Sequence, residues 1–397
     1  MSDKDNLLEE AKRLQPYLEE KRHFLHSHPE VGFDLKETKA YLTEELKKLG
    51  YEPKSVGKCG IMVELEGSQP GKCILLRADM DALAMTEEAE VEYKSIYEGR
   101  MHGCGHDMHA TMLLGAAKLL KDYEHEIHGV RKLIFQPAEE IFQGSLDMIE
   151  SGVLENPKVD AAMMLHVVAG MPMPTGTFMV PKQGGVSMNT CEQYKITVFG
   201  KGGHGSAPQN AIDPITAAAQ IHLGLQEINS RELGREEYGI FTTCKFQAGA
   251  TSNVIPDSAL MEGTIRTADL DRSVNGKIKK RMEEIATGIA TAMRCTAKVE
   301  FSDYCPCMVI DDAWAKQVLG VMKDTFGSGI IEMEPSPGGG SEDFSFVSHK
   351  VPVTSLFLVA GSTNDGYVYG QHHPKVRYDE SCLCMGSAAY AAIALNV

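Results

Sequence analysis

Three apolar runs in this chain break off at residues that bind metals or move protons. CILLRA (73–78) runs into Asp79 and Asp81, KLIFQPA (132–138) into Glu139 and Glu140, and AAMML (161–165) into His166. Helical patterns at 107–121 and 142–151 alternate with them. Strands alternating with helices imply a parallel sheet covered by helices. Ligands of such sheets bind beyond the carboxyl ends of the strands. The pattern therefore predicts one rim that gathers all five of these side chains.

A fourth stretch, RMHGCGHDMHATMLLGAAKLL (100–120), supplies that rim with more ligand chemistry. His102, Cys104, His106, Asp107 and His109 fall within eight residues, interleaved with Gly103 and Gly105. A soft thiolate, imidazoles and a carboxylate on glycine-permitted backbone are the ingredients of a transition-metal site. A lone Cys or His is more often a core residue than a ligand; the clustering is what favours metal. Adjacent glutamates are commonly a solvated surface pair, yet Glu139-Glu140 follows a predicted strand at the rim. One carboxylate there can hold a metal while its neighbour takes a proton from water. His166 and His372 fit the same ligand set, although His372-His373-Pro374 also reads as a surface loop. Gly202-Gly203-His204-Gly205 is a flexible loop with a single imidazole, either a linker or a segment that reaches substrate.

Two rival chemistries are weaker. Gly338-Gly339-Gly340 suggests a phosphate loop, but neither G-x-x-x-x-G-K-[ST] nor G-x-G-x-x-G occurs there. Cys104 between histidines suggests a thiol nucleophile, which leaves Glu139, Glu140 and His166 without a role.

A formal charge of −16 and the lack of a Lys/Arg cluster argue against nucleic acid. Ten cysteines in 397 residues are too dilute for a disulfide scaffold, so reduced thiols in a cytoplasmic protein are expected. The amphipathic N-terminal stretch does not read as a signal peptide, and no apolar run is long enough to span a membrane, so a soluble protein is expected. At 397 residues two domains are the default. The pattern predicts helices over 4–26, bent at Pro16, and 35–49, then strands 61–66 and 73–78. From Gly184-Gly185 it changes. Strands 191–199, 240–248, 258–267 and 297–302 with helices 213–230 and 271–293 suit a ferredoxin-like α+β insertion. Helix 312–326, strand 354–360 and helix 380–395 return to the first domain. The expected domains are thus 1–185, 186–302 and 303–397, the first and last forming one catalytic body.

In this order the motifs RADMDAL (77–83), MHGCGHDMHATMLLGAAKLL (101–120), FQPAEE (135–140), LHV (165–167), GGHGSAP (202–208), SNVIPD (252–257), GGGSEDFS (338–345) and HHP (372–374) resemble the amidohydrolase branch of the M20 metallopeptidases. The resemblance implies an α/β catalytic domain interrupted by a lid, and two divalent metal ions, zinc or manganese, with nickel or cobalt also admissible. It implies Cys104, His106, Glu140, His166 and His372 as metal ligands and Glu139 as general acid/base. Asp79, Asp81 and Asp343 orient or support the centre without binding metal. The resemblance also implies His204 as a stabiliser of the oxyanion, and Asn253 and Arg266 as candidates for gripping a substrate carboxylate. The implied reaction is hydrolysis of N-acyl amino acids by a homodimer joined through the lid. A dipeptidase or carboxypeptidase with the same centre is the enzymatic alternative, and a metal-holding binding protein the other. Ala84 departs from the resemblance, where RADMDAL is usually followed by proline.

Overall fold

Four strands with buried apolar cores lie side by side at the centre of the larger of two units in the computed structural model, which describes residues 3–338 and 340–397. Gly339 of the glycine run and residues 1 and 2 of the expected catalytic segment lie outside the described residues. The larger unit comprises Met1–Gly185, Val309–Ser336 and Asp343–Val397; the smaller comprises Val186–Met308 and Pro337–Glu342.

In the larger unit, His128–Gln136, Gln69–Asp79, Ala161–Val168 and Val353–Val359 are consecutive neighbours and all run parallel. Parallel strands covered on both faces read as continuous apolar runs; Ile74, Leu75 and Leu76, for example, are fully buried. Their carboxyl ends deliver Asp79, the Glu139-Glu140 loop and His166 to one rim. Gly60–Glu66 and Lys54–Val56 extend one side antiparallel. Phe178–Pro181 and Ile330–Met333 extend the other. Phe178–Pro181 and the edge strand Ile330–Met333 escape the sequence pattern because four residues or fewer show no period.

Charge inside the sheet is handled by carbonyls. Arg131 donates from Nε to Ala394 O (2.6 Å) and from Nη2 to Val397 O (2.8 Å), capping the last helix. Lys132 puts its ammonium on the carbonyls of Val153, Glu155 and Pro157. The single N-terminal helix expected over 4–26 is two, Asp3–Arg13 and Gln15–Ser27. Pro16 sits in the first turn of the second, where its missing N–H is no loss.

Helix His106–Asp122 packs on the closing helix Leu383–Asn396, which is buried almost all round. Two glycines set the distance. A Cβ on Gly115 would lie 2.3 Å from Ser387 Oγ and 2.6 Å from Leu18 Cδ2, and one on Gly386 would lie 2.1 Å from Met112 Sδ.

The smaller unit runs strand, helix, strand, strand, helix, strand: Glu192–Phe199, Pro214–Glu227, Gly239–Ala248, Ser258–Thr267, Ser273–Ala292 and Thr296–Phe301. Its sheet order is 239–248, 258–267, 192–199, 296–301, antiparallel throughout. That is the ferredoxin-like plan. Ile196, Ile221, Met261, Ile278 and Met282 fill its separate core.

Gly115→Ala is expected to destabilise the larger unit by about 1–3 kcal/mol through overpacking. Trp314, the sole tryptophan, is buried in that unit with Nε1 on Ala162 O, so denaturant unfolding followed by its fluorescence reads the loss directly.

Candidate metal centre

His106 and His166 are each aimed by a neighbour that takes the other ring nitrogen. His106 opens its helix after Gly105, whose φ of +91° puts the turn in the left-handed region. Its Nδ1 donates to Asp81 O at 2.9 Å, so Nε2 is the atom left to bind. His166, at the end of its strand, donates from Nδ1 to Val167 O at 2.6 Å and turns Nε2 to Cys104 Sγ at 3.5 Å.

Glu139 and Glu140 lie in a tight turn between Ala138 and Phe142, both at positive φ. The Asp81 carboxylate accepts both their backbone N–H groups, Glu139 on Oδ1 at 3.0 Å and Glu140 on Oδ2 at 3.2 Å. Asp81 therefore spends both carboxylate oxygens on main chain. The backbone N–H of Asp343 donates to Glu139 Oε1 at 3.4 Å.

The ligand atoms of Cys104, His106 and His166 lie within 4.8 Å of one another, as do those of Cys104, Glu140 and His372, and those of His106, Glu139 and Glu140. Every member is buried or nearly so except His372, whose side chain is 57% exposed and marks the open side. Asp79, His106 and His109 are equally close, but hydrogen bonding removes two of them. His109 gives Nδ1 to Asp79 Oδ1 at 2.6 Å and accepts the Val167 N–H on Nε2 at 2.8 Å. Asp79 Oδ2 takes the Arg77 guanidinium at 2.6 Å. Both residues are fixed as supports.

Residues 75–396 match peptidase family M20/M25/M40. The chain is a member of the M20 family. It is 36% identical over 397 residues to thermostable carboxypeptidase 1 of Saccharolobus solfataricus, covering 99% of this chain and 98% of that one. It is 37% identical over 378 residues to IAA-amino acid hydrolase ILR1-like 4 of Arabidopsis thaliana, covering 94% and 84%. Its structure is similar to that of the Bacillus subtilis YXEP protein, a dinuclear metal-binding M20 peptidase, with a TM-score of 0.78 and 32% identity over 97% of this chain and 98% of that one.

The residues of this M20 chain fit a cation. His106 Nε2 and Glu140 Oε1 are buried with no hydrogen-bond partner. Two buried polar atoms that face each other unpaired are costly unless a bound group satisfies both. The charge balance agrees. Burial, reinforced by Asp81 and Asp79, lifts the Glu140 carboxyl to about 7, against the opposing pull of His106. Burial also pushes the Cys104 thiol up, and drives the His166 ring well below its usual range. Burial opposes charge on His106, but Asp79 and Cys104 outweigh it and hold that ring well above its usual range. Thiol, carboxyl and the His106 imidazole here thus carry protons that a divalent ion would displace.

Sequence reasoning passed over several supports. Arg77 is fully buried and joins Gln136, Asp79 and Asp343. Asp343 Oδ2 also accepts the Ser145 N–H at 2.8 Å, so Asp343 ties the Glu139 turn to the following helix. Behind the centre, Asp107 Oδ2 takes Arg22 Nε and His26 Nδ1, both at 2.8 Å. His26 Nε2 meets Glu87 at 3.1 Å. A buried arginine inside RADMDAL, and Arg22 four residues before His26 on one helix face, were the available signals.

In the smaller unit, His204 pairs with Val254 in a two-residue ladder, and Gly205 N–H donates to Asn253 O. His204 and Asn253 are thus neighbours. Arg266 stands near the far end of Ser258–Thr267 from the 200–205 loop, opposite Ile240. Ala84, the position that departs from the resemblance, is spanned by a Met85 N–H to Leu83 O bond of 3.0 Å, while Leu83 exchanges two bonds with Met101. The turn is closed by its flanking residues.

Asp81→Asn leaves one oxygen for two N–H groups and sets its amide against the other. It is expected to weaken metal binding by about 10–100-fold while the fold persists. Competition with a chromophoric chelator checks this.

Proposed function

We propose that this M20 hydrolase cleaves the amide bond of N-acyl amino acids, with Cys104, His106, Glu140, His166 and His372 holding two divalent ions and Glu139 as general acid/base. The observation that carries the reading is the pair of ligand groups, Cys104/His106/His166 and Cys104/Glu140/His372, that meet at Cys104 beside the Glu139 carboxylate. When bound, the ions polarise the scissile carbonyl and lower the pKa of water toward 7. Zinc suits the thiolate; manganese, nickel and cobalt suit the other ligands.

Glu139 accepts the proton of the attacking water and delivers it to the leaving amine. It is suited to both acts because Asp81 fixes its main chain and Asp343 N–H steadies one oxygen. Asp79, Asp81 and Asp343 act through the residues they hold. His204 is the oxyanion donor: its Nδ1 accepts the Ser206 N–H at 3.1 Å, which leaves a proton on Nε2 to donate. Arg266 and Asn253 are the carboxylate-binding candidates. The name of the plant relative supports an N-acyl amino acid, and that of the archaeal relative supports a peptide cut at its carboxyl end. Both substrates place an amide next to a free carboxylate.

A homodimer through the smaller unit fits its open edge. Strand Gly239–Ala248 is the sheet margin and leaves Ile240 and Phe246 nearly half exposed. Such edges pair readily with a second copy. Light scattering is expected to give twice the chain mass, and a monomer at micromolar concentration would remove this part of the reading. No helix among the described residues is long and apolar enough to cross a membrane. The ten free thiols suit a reducing compartment such as the cytoplasm.

Release of free amino acid from a panel of N-acyl amino acids and dipeptides, before chelation, after it and after metal is restored, tests the reading. Activity is expected to vanish and return. Glu139→Gln is expected to keep its metal and lose about 10²–10⁴-fold in kcat. Turnover indifferent to chelation, or retained by that variant, overturns the mechanism.

A further inference from the structure

We infer that Tyr378 and Gln371 are positioning residues of the metal centre, locking the loop that carries His372 to the segments that carry Cys104 and His166 through two shared backbone carbonyls. The inference rests on the metal reading above and deepens it.

His372 is unlike the other candidate ligands. Cys104, His106, Glu140 and His166 are packed against strand ends and a buried helix, whereas His372 lies on an irregular loop with its side chain mostly exposed. Its φ of +63° is a left-handed conformation that a histidine adopts only when its surroundings impose it. The loop around it is held by hydrogen bonds to the segments that carry other ligand candidates.

Two carbonyls receive those bonds. Gly103 O accepts the His372 backbone N–H at 2.9 Å and the Tyr378 hydroxyl at 3.0 Å. Val167 O accepts Gln371 Nε2 at 2.9 Å and His166 Nδ1 at 2.6 Å. The first carbonyl belongs to the residue before Cys104, and the second to the residue after His166. Each ligand-bearing segment therefore shares an acceptor with the 371–372 loop.

Tyr378 brackets Cys104 more closely still. Its hydroxyl holds Gly103, and its ring lies against Gly105, where a Cβ would come within 3.1 Å of Tyr378 Cζ and 2.5 Å of Val167 Cγ2. Loss of the hydroxyl leaves the Gly103 peptide tied to the loop by one bond. Loss of the Gln371 amide frees the loop from Val167. Neither change removes a ligand or a core side chain.

The test measures zinc binding by competition with a chromophoric chelator, together with the unfolding midpoint of the metal-free full-length chain, for wild type, Tyr378→Phe and Gln371→Leu. Each variant is expected to hold the more weakly bound ion about 10–100-fold less tightly, as outer hydrogen-bond partners of ligands commonly do. The metal-free midpoint is expected to stay at the wild-type value, and kcat to fall in step with occupancy and recover at high zinc. Unchanged affinity in both variants overturns the inference. So does an affinity loss matched by a fall in the metal-free midpoint, which is the mark of ordinary packing. Should Tyr378→Phe fail to fold, Gln371→Leu, on a partly exposed loop, decides alone. A wild-type chain that takes up no zinc removes the metal reading, and this inference with it; wild-type binding with unaffected variants removes only the inference.

Discussion

Asp81 is the point from which the centre is built. Its carboxylate accepts the N–H groups of Glu139 and Glu140, and its carbonyl accepts Nδ1 of His106. One residue thus fixes the acid/base candidate, a ligand candidate from the adjacent strand and the tautomer of a third side chain. The acceptor must be short and doubly oxygenated to reach two successive amides, which an aspartate at a strand end satisfies. Without it the Glu139-Glu140 turn, flanked by two positive-φ residues, would lose two of the hydrogen bonds that hold it.

Around Asp81 the buried charges separate into those that are paired and those that are not. Arg77 is compensated by Asp79 and Asp343, and Arg22 and His26 by Asp107 and Glu87. Removing charges from water is tolerable only with such partners. Burial acts against Asp79 ionising, but Arg77 and His106 outweigh it and hold its carboxyl well below the usual range. The same is true of Asp107, where Arg22 and His26 outweigh burial. At Cys104 and Glu140 burial outweighs the opposing pull of His106. Burial favours the protonated form of both groups, so a cation bound there would displace protons.

Membership of the M20 family sets the reaction class more firmly than the substrate. A carboxypeptidase and an IAA-amino acid hydrolase are similarly distant relatives, and the chemistry proposed for the rim suits either reaction. Discrimination belongs to groups that contact the acyl part and the carboxylate. His204 and Asn253 form one cluster within the smaller unit, with Arg266 toward the opposite end of its strand.

The order of apolar runs and ligand residues was legible in the chain because parallel, doubly covered strands must be apolar throughout and their loops alone are free to carry chemistry. The α/β plan, the ferredoxin-like insertion and the gathering of Asp79, Glu139, Glu140 and His166 followed from that. Short strands such as Phe178–Pro181 were not legible, being too short for a period. Nor was the division of labour among the imidazoles. His106 and His109 stand three residues apart in one motif, and only the tertiary partners tell them apart: His109 has a partner on each nitrogen, while His106 keeps Nε2 open. Tyr378 and Gln371 gave no signal, since a hydroxyl or amide that bonds a distant carbonyl leaves no local pattern. Sequence determined which residue types would meet at the rim; the fold decided which atom of each imidazole was left free, because the partners of His106 and His109 come from strand ends that only the folded sheet brings alongside.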